Sequence, residues 1–141
     1  HLPNVFANIH NMLKVGGKII HISPTNNFVD DGFYQLSPTF FLDYYSANQY
    51  KIDFIKLHFV KLTVQAYGDG DILLSEDKFI DYNIEKVDDI SFEPFGNDMC
   101  QSICVVTKTK TSRCDVIPMQ RRYSSKDYWR RHFNEGKLEH L

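Results

Sequence analysis

The fold is decided by the stretch Asn11-Met12-Leu13-Lys14-Val15-Gly16-Gly17-Lys18-Ile19-Ile20-His21-Ile22. Ahead of it, residues 3–14 carry apolar side chains at helical spacing, and Pro3 suits a first helical turn. The two glycines favour a left-handed stop, and the β-branched run after them is typical of a buried strand that Ser23-Pro24 ends. The stretch therefore predicts a helix, a glycine turn and a strand in succession.

The same alternation of helix and strand continues downstream. Ser37 is a suitable N-cap and Pro38 a suitable first residue for an aromatic-rich helix to Ala47, which Asn48 can end in a left-handed cap. The spacing then predicts a strand over residues 51–59, with one face formed by Asp53, Ile55, Leu57 and Phe59 and the other begun by Ile52 and Phe54.

Gln101 to Lys108 predicts a further buried strand. Because no obvious helix separates it from the strand over residues 51–59, the two can pair antiparallel. Residues 60–98 contain the turn signal Tyr67-Gly68-Asp69-Gly70-Asp71 and predict a β-rich insertion or lid, with short strands near 72–74 and 79–84. Alternating helices and buried strands indicate an α/β layer fold over residues 1–108.

Composition narrows the classes of function. The chain has 141 residues, a formal net charge of -2 and an aromatic content of 14%. The charge balance gives no general attraction to nucleic acid or to an anionic membrane, and no apolar run is long enough to span a bilayer. The three cysteines form no CxxC pair, which favours reduced thiols and a cytoplasmic protein, and no residues have metal-ligand spacing.

The glycine turn and its surroundings resemble the class I S-adenosylmethionine-dependent methyltransferases. Asn11 to Ile20 is similar to the family's "LKPGG" segment before the fifth strand, with Val15 where proline is usual. Asp31 to Phe41 and Asp43 to Asn48 resemble the loop and helix that follow in a bacterial, methyltransferase type 11-like subgroup, and Gln101 to Lys108 fits the family's final antiparallel strand. The resemblance implies the C-terminal half of a Rossmann-like methyltransferase sheet.

The resemblance also implies S-adenosylmethionine as the cofactor and a small-molecule or glycan-like acceptor. In such enzymes a glycine-rich turn holds the cofactor, yet this sequence has no GxGxG, and Gly68-Asp69-Gly70 lacks a third glycine. The sequence begins in a helix with no leading strand, which predicts a chain cut from a longer protein. We therefore expect the parent protein to be the enzyme and the isolated chain to be inactive.

The acceptor side of the site is expected after the first strand, because ligands of open α/β sheets bind beyond the carboxyl ends of strands. Asp31 is the candidate base, which would take a proton from an acceptor oxygen. The candidates for orienting the acceptor are amides, hydroxyls and a phenol: Thr25, Asn26, Asn27, Tyr34 and Gln35. The alternative is a solvated loop in which Asn and Asp side chains bond their own backbone.

Three further interpretations concern the remaining residues. His21 is predicted to be a satisfied core histidine, and His10 and His58 to lie on the surface. The basic tail, residues 109–141, predicts a helix around Tyr128, Trp129, His132 and Phe133 that docks its aromatic face, in preference to binding phosphate or RNA. The whole chain can alternatively be a non-catalytic interaction module that assembles through an open sheet edge, as a homo-oligomer or a swapped dimer.

Overall fold

The computed structural model describes residues 1–26, 34–67, 70–82 and 98–120, with the backbone alone for 61–67 and 70–75. Two helices and four strands follow one another along this part of the chain. They are α1 (Leu2–Met12), β1 (Lys18–Asn26), α2 (Pro38–Ala47), β2 (Lys51–Tyr67), β3 (Gly70–Asp81) and β4 (Met99–Thr107). The predicted α/β class is thus confirmed as a mixed α/β fold.

The four strands form one sheet in the order β1-β4-β2-β3, and every neighbouring pair is antiparallel. Since β1 and β2 are both antiparallel to β4, they run parallel to each other, with β4 between them. The predicted antiparallel pairing of the strand after residue 51 with the strand near residue 101 is confirmed. The connection from β1 to the parallel β2 contains α2.

Both helices pack on one face of the sheet. The Phe6 ring of α1 lies 4.5 Å from the Tyr44 ring of α2 and 5.5 Å from His21 of β1, measured between ring centroids. The core around them is buried and aromatic, and its sheet floor is formed by Ile19, Ile55, Cys104 and Val106. Burial of large aromatic rings supplies most of the apolar area that stabilises such a small core. The other face of the sheet carries no described helix.

The glycine turn differs in detail from its prediction. Helix α1 ends at Met12, and Leu13 at its C-cap is extended. Gly16 adopts φ +83 inside a separate turn that the Gly17 N–H closes on the Lys14 carbonyl at 2.9 Å. The helix end is satisfied by Lys108, whose ammonium donates to the carbonyls of His10 and Leu13 at 2.7 and 2.8 Å. A distant side chain therefore caps the helix, which local sequence does not indicate.

Helix α2 has the predicted bounds. The Ser37 hydroxyl accepts a hydrogen bond from the Phe40 N–H at 3.2 Å, which confirms the N-cap. The left-handed residue after the helix is Gln49, with φ 59, rather than Asn48. Asn48 is instead fully buried and bonds residue 116, so its side chain has a tertiary role.

Strand bounds also depart from the sequence expectations. β1 continues through Pro24 to Asn26, which is tolerated because β1 is an edge strand and a proline there removes no ladder bond from a second neighbour. β2 continues to Tyr67 and pairs with β3 from Tyr67↔Gly70 onwards. The β-rich part expected between residues 60 and 98 is thus a long hairpin as far as Asp81. Residues 83–97 and the helix expected in the tail lie outside the described residues.

A bulge in β2 overturns the predicted face of Asp53. The register with β4 shifts between Ile52 and Phe54, so Ile52 turns to the core and Asp53 to the helix-free face. There the Asp53 carboxylate accepts hydrogen bonds from Lys18 and from the Thr107 hydroxyl. These bonds lower the pKa of Asp53 to about 2.

Candidate functional site

The carboxyl end of β1 is tied to the segment that leads into α2. The Leu36 carbonyl accepts hydrogen bonds from the hydroxyls of Thr25 and Ser102, both at 2.9 Å. The Leu36 N–H donates to the Ser23 hydroxyl at 3.4 Å. Three hydroxyls on β1 and β4 therefore hold Leu36 against the end of the sheet. Tyr34 and Gln35, which precede Leu36 in the chain, are placed near the same end.

Four predicted site residues meet at this end of the sheet. Asn26 is the exposed last residue of β1, and Tyr34 is 66% exposed. Gln35 is exposed beside it, whereas Thr25 uses its hydroxyl proton to hold Leu36. The side chains of Asn26 and Tyr34 are exposed to solvent at this end of the sheet. Thr25 serves instead as a positioning residue for the segment.

The remaining predicted site residues, Asn27 and the candidate base Asp31, lie outside the described residues. The proton-accepting role of Asp31 stays a prediction.

Ser23 and Ser102 are the site residues that sequence reasoning missed. Ser102 is completely buried on the core face of β4, and its hydroxyl also lies 3.4 Å from the Ser23 carbonyl. A hydroxyl at a core-facing position of an otherwise apolar strand needs a buried hydrogen-bond partner, because an unpaired one costs free energy. The core-facing position of Ser102 could therefore have predicted a buried hydrogen bond. Its partner, the Leu36 carbonyl, is 66 residues away and could not be identified from the sequence.

Two histidine–tyrosine pairs lie in and beside the core. The His21 Nε2 is 2.5 Å from the Tyr45 hydroxyl, and its ring stacks on Phe41 at 4.9 Å. Burial lowers the pKa of His21 and raises that of Tyr45, so both are neutral near pH 7. The expected satisfied core histidine is confirmed. His10 is not simply a surface residue: it is half-buried, with Nδ1 2.6 Å from the Tyr50 hydroxyl.

A cleft of about 250 Å³ opens at the start of α2. It lies between the first turns of the helix and the end of the described chain, and it is lined by Ser37, Thr39, Phe40, Asp43, Pro118 and Gln120. The Thr39 hydroxyl is 2.8 Å from the Tyr82 hydroxyl, which ties this helix end to the residue after β3. The cleft begins one residue after Leu36, so it adjoins the polar end of the sheet.

Among the described residues, the glycine at the turn from β2 to β3 does not fit the glycine turn of an S-adenosylmethionine site. Gly70 pairs with Tyr67 across a hairpin between two antiparallel strands, whereas a phosphate- or nucleotide-type glycine turn joins a strand to a helix. No group of three or more His, Cys, Asp or Glu that could hold a metal ion occurs among the described residues. No described helix is long and apolar enough to cross a membrane.

Comparison with protein-family models, with curated proteins and with solved structures finds no match to this chain.

Proposed function

We propose that this chain is the acceptor side of an S-adenosylmethionine-dependent methyltransferase, with the cofactor-binding elements supplied from outside these 141 residues. The acceptor is a small molecule or a glycan-like molecule. The chain itself is assigned no methyl transfer, because its sequence has no GxGxG and its described glycines, Gly16, Gly17 and Gly70, lie in a helix-to-strand turn and a hairpin.

The observation that carries the proposal is the arrangement of β1, β4 and β2. β1 and β2 run parallel with the helix α2 between them in sequence, and the last strand returns antiparallel into the gap. The resemblance stated from the sequence implies a helix, a strand, a further helix and a final antiparallel strand in this order. This arrangement supports the proposal because it depends on pairing between strands that are distant in the chain.

The position of the polar residues supports the acceptor role. Asn26 and Tyr34 stand at the carboxyl end of β1, where ligands of open α/β sheets bind. An amide and a phenol together donate and accept hydrogen bonds, which suits an acceptor with several hydroxyl groups. The hydroxyl bonds to Leu36 hold this surface in place.

Calorimetric titration with S-adenosylhomocysteine tests the proposal. We expect the full-length gene product to bind it and the 141-residue chain alone to show no heat of binding. Lack of binding to both would refute the methyltransferase assignment. In the active full-length protein, Tyr34→Ala should raise the KM for the acceptor and leave cofactor affinity unchanged. Ser46→Ala, an exposed position on α2, is the matched control.

A second candidate is a non-catalytic module that assembles through the free edge of β1. Among the described residues no strand pairs with that edge, and Ile20 and Ile22 beside it are exposed. An unprotected edge of this kind is a template for another strand. Sedimentation of the chain would show a homo-oligomer or a swapped dimer that Ile22→Lys dissociates. A monomer at all concentrations would contradict this alternative.

A cytoplasmic location accompanies both candidates. All three cysteines are free, and burial raises the pKa of Cys100 to about 11 and of Cys104 to about 12. Buried, protonated thiols on one strand suit a reducing compartment.

A further inference from the structure

The segment after β4 runs back along α2. The Arg113 N–H donates to the Asn48 carbonyl at 3.0 Å, and the Val116 N–H donates to the Asn48 side-chain oxygen at 3.1 Å. Gln120 then lines the cleft at the first turns of α2. The segment therefore passes from the C-terminal end of the helix to its N-terminal end, and the residue that follows Gln120 starts beside the cleft.

The cleft contains a buried acid. Asp43 is 7% exposed, and it is the one charged residue among the six described residues that line the cleft. It lies on the same side of α2 as Thr39 and Phe40, which are four and three residues before it. Removing a carboxylate from water is unfavourable unless a cation or several hydrogen bonds compensate its charge. A cationic group therefore complements the cleft.

Two arginines come next in the sequence. Arg121 and Arg122 follow Gln120 directly. Because consecutive Cα atoms are about 3.8 Å apart, the Cα atoms of residues 121 and 122 lie within about 4 and about 7 Å of that of Gln120. A guanidinium of this pair can therefore reach the cleft. Its N–H donors suit a carboxylate and neighbouring oxygens, and its flat face suits contact with an aromatic ring such as Phe40.

The short tether favours these arginines over a cation from solution. A group joined to its site through a short stretch of chain has an effective concentration on the order of millimolar there. A free amine or guanidinium has to exceed that concentration or bind more tightly. Arg130 and Arg131, which lie further along the chain, are not held near the cleft in this way.

We propose that the cleft at the start of α2 is a docking site for the Arg121–Arg122 pair, with one of the two guanidinium groups bonded to the Asp43 carboxylate. The inference is independent of the methyltransferase proposal, because it concerns how the chain occupies its own cleft. It assigns the cleft to the chain itself, and it leaves the exposed surface at Asn26 and Tyr34 for the acceptor of that proposal.

A double-mutant cycle tests the contact. Arg121→Gln and Arg122→Gln are each made in the wild type and in Asp43→Asn, and urea denaturation is followed by circular dichroism. We expect one arginine substitution to lower the denaturation midpoint of the wild type and to leave that of Asp43→Asn unchanged, because its partner is already removed. Arg130→Gln is the matched control and should have the same small effect in both backgrounds. Additive effects for both Arg121 and Arg122 would overturn the proposal.

Limited digestion with trypsin, which cleaves after arginine, gives a second measurement on the folded protein. Cleavage after Arg121 and Arg122 should be about tenfold slower in the wild type than in Asp43→Asn, because docking excludes them from the protease. Cleavage after Arg130 should have one rate in both proteins. Asp81→Asn, which removes an exposed carboxylate on β3, should be digested like the wild type. Equal rates after Arg121 and Arg122 in the wild type and in folded Asp43→Asn contradict the docking.

Circular dichroism verifies that each variant is folded before either measurement. Asp43→Ser replaces Asp43→Asn in both experiments if the asparagine variant does not fold. The wild type is also compared with the isolated 113–141 peptide, which requires no substitution at Asp43. Cleavage after Arg121 and Arg122 as fast in the folded protein as in the peptide would refute the proposal.

Discussion

Asn48 shows how one side chain can hold a whole segment. Its amide donates to the carbonyls of Tyr44 and Val116, both at 3.0 Å, and its oxygen accepts from the Val116 N–H at 3.1 Å. The Asn48 carbonyl also accepts from the Arg113 N–H at 3.0 Å. The segment after β4 is thereby attached to the end of α2.

Asn48→Ala should lower the free energy of unfolding by about 3 kcal/mol, because it leaves buried backbone groups without partners at ~1–3 kcal/mol each. Chemical denaturation monitored by circular dichroism measures the change. Asn11→Ala, at an exposed position on α1, should change stability by less than about 0.5 kcal/mol. Equal effects of the two substitutions would contradict the role given to Asn48.

His21 makes stability depend on pH. Its pKa in the folded protein lies below the usual 6.5 because burial disfavours the charged ring. The unfolded chain therefore takes up a proton at higher pH than the native protein does. The contribution of His21 to stability is present above about pH 6.5 and is lost as the pH falls below it.

Thermal unfolding between pH 8 and pH 5 should accordingly show a falling Tm, with a shallower fall in His21→Gln. Some slope should remain, since burial also lowers the pKa of His10. His58→Gln, on the helix-free face of the sheet where the ring stacks on Phe79, is the control and should keep the slope. A slope in His21→Gln as steep as in the wild type would count against this explanation.

At the scale of elements, α2 was predictable because its signals are local. The Ser37 cap, Pro38 in the first turn and the aromatic spacing all lie within eleven residues, and the helix has the expected bounds. The bulge at Asp53 was not predictable, because it depends on which residue of β4 stands opposite. Strict alternation of side chains along β2, taken without its pairing to β4, places Asp53 on the wrong face of the sheet.

The N-cap of α2 gives a test at this scale. Ser37→Ala should destabilise the protein by about 1 kcal/mol, because it removes the acceptor for the Phe40 N–H. Ser46→Ala within the same helix is exposed and makes a matched control. Alanine is the better helix former, so the control should be neutral or stabilising by a few tenths of a kcal/mol. Denaturant midpoints of the two variants measure the difference.

At the scale of the whole molecule, the core is assembled from distant parts of the chain. Cys104 lies on β4 and is completely buried against residues from α1, α2 and β1. Opening any one element does not by itself release β4, because β1 and β2 pair with it on both sides. Exposure of the Cys104 thiol therefore requires the helices to leave the sheet, which disrupts the core that α1, α2 and the strands share.

Thiol labelling of the native protein should be fast at Cys114, which is partly exposed, and slow at Cys100 and Cys104. Burial raises the pKa of both slow thiols and so reduces the reactive thiolate. The Cys114→Ser variant should react at the rate of global unfolding measured by circular dichroism. Fast labelling of that folded variant would show that β4 is exposed in the native state.

The candidate site was predictable only in part. That a polar surface follows β1 could be read from residues 23–35, and Asn26 and Tyr34 do stand there. The hydroxyls of Thr25 and Ser102 both donate hydrogen bonds to the Leu36 carbonyl, which is 11 and 66 residues away from them in the chain. These bonds could not be predicted from the sequence. Sequence spacing carries no information about such contacts until the strands have paired.

The sequence by itself determined the two helices, the N-cap of α2, the buried histidine and the presence of β1, β2 and β4, because propensity, capping and periodicity act over a few residues. The tertiary structure alone decided that β4 lies between β1 and β2, that Asp53 turns to the helix-free face, and that Lys108 and Asn48 satisfy distant backbone groups. The physical reason is that hydrogen-bonding groups must be paired wherever folding buries them, and their partners are fixed by packing rather than by neighbours in the chain.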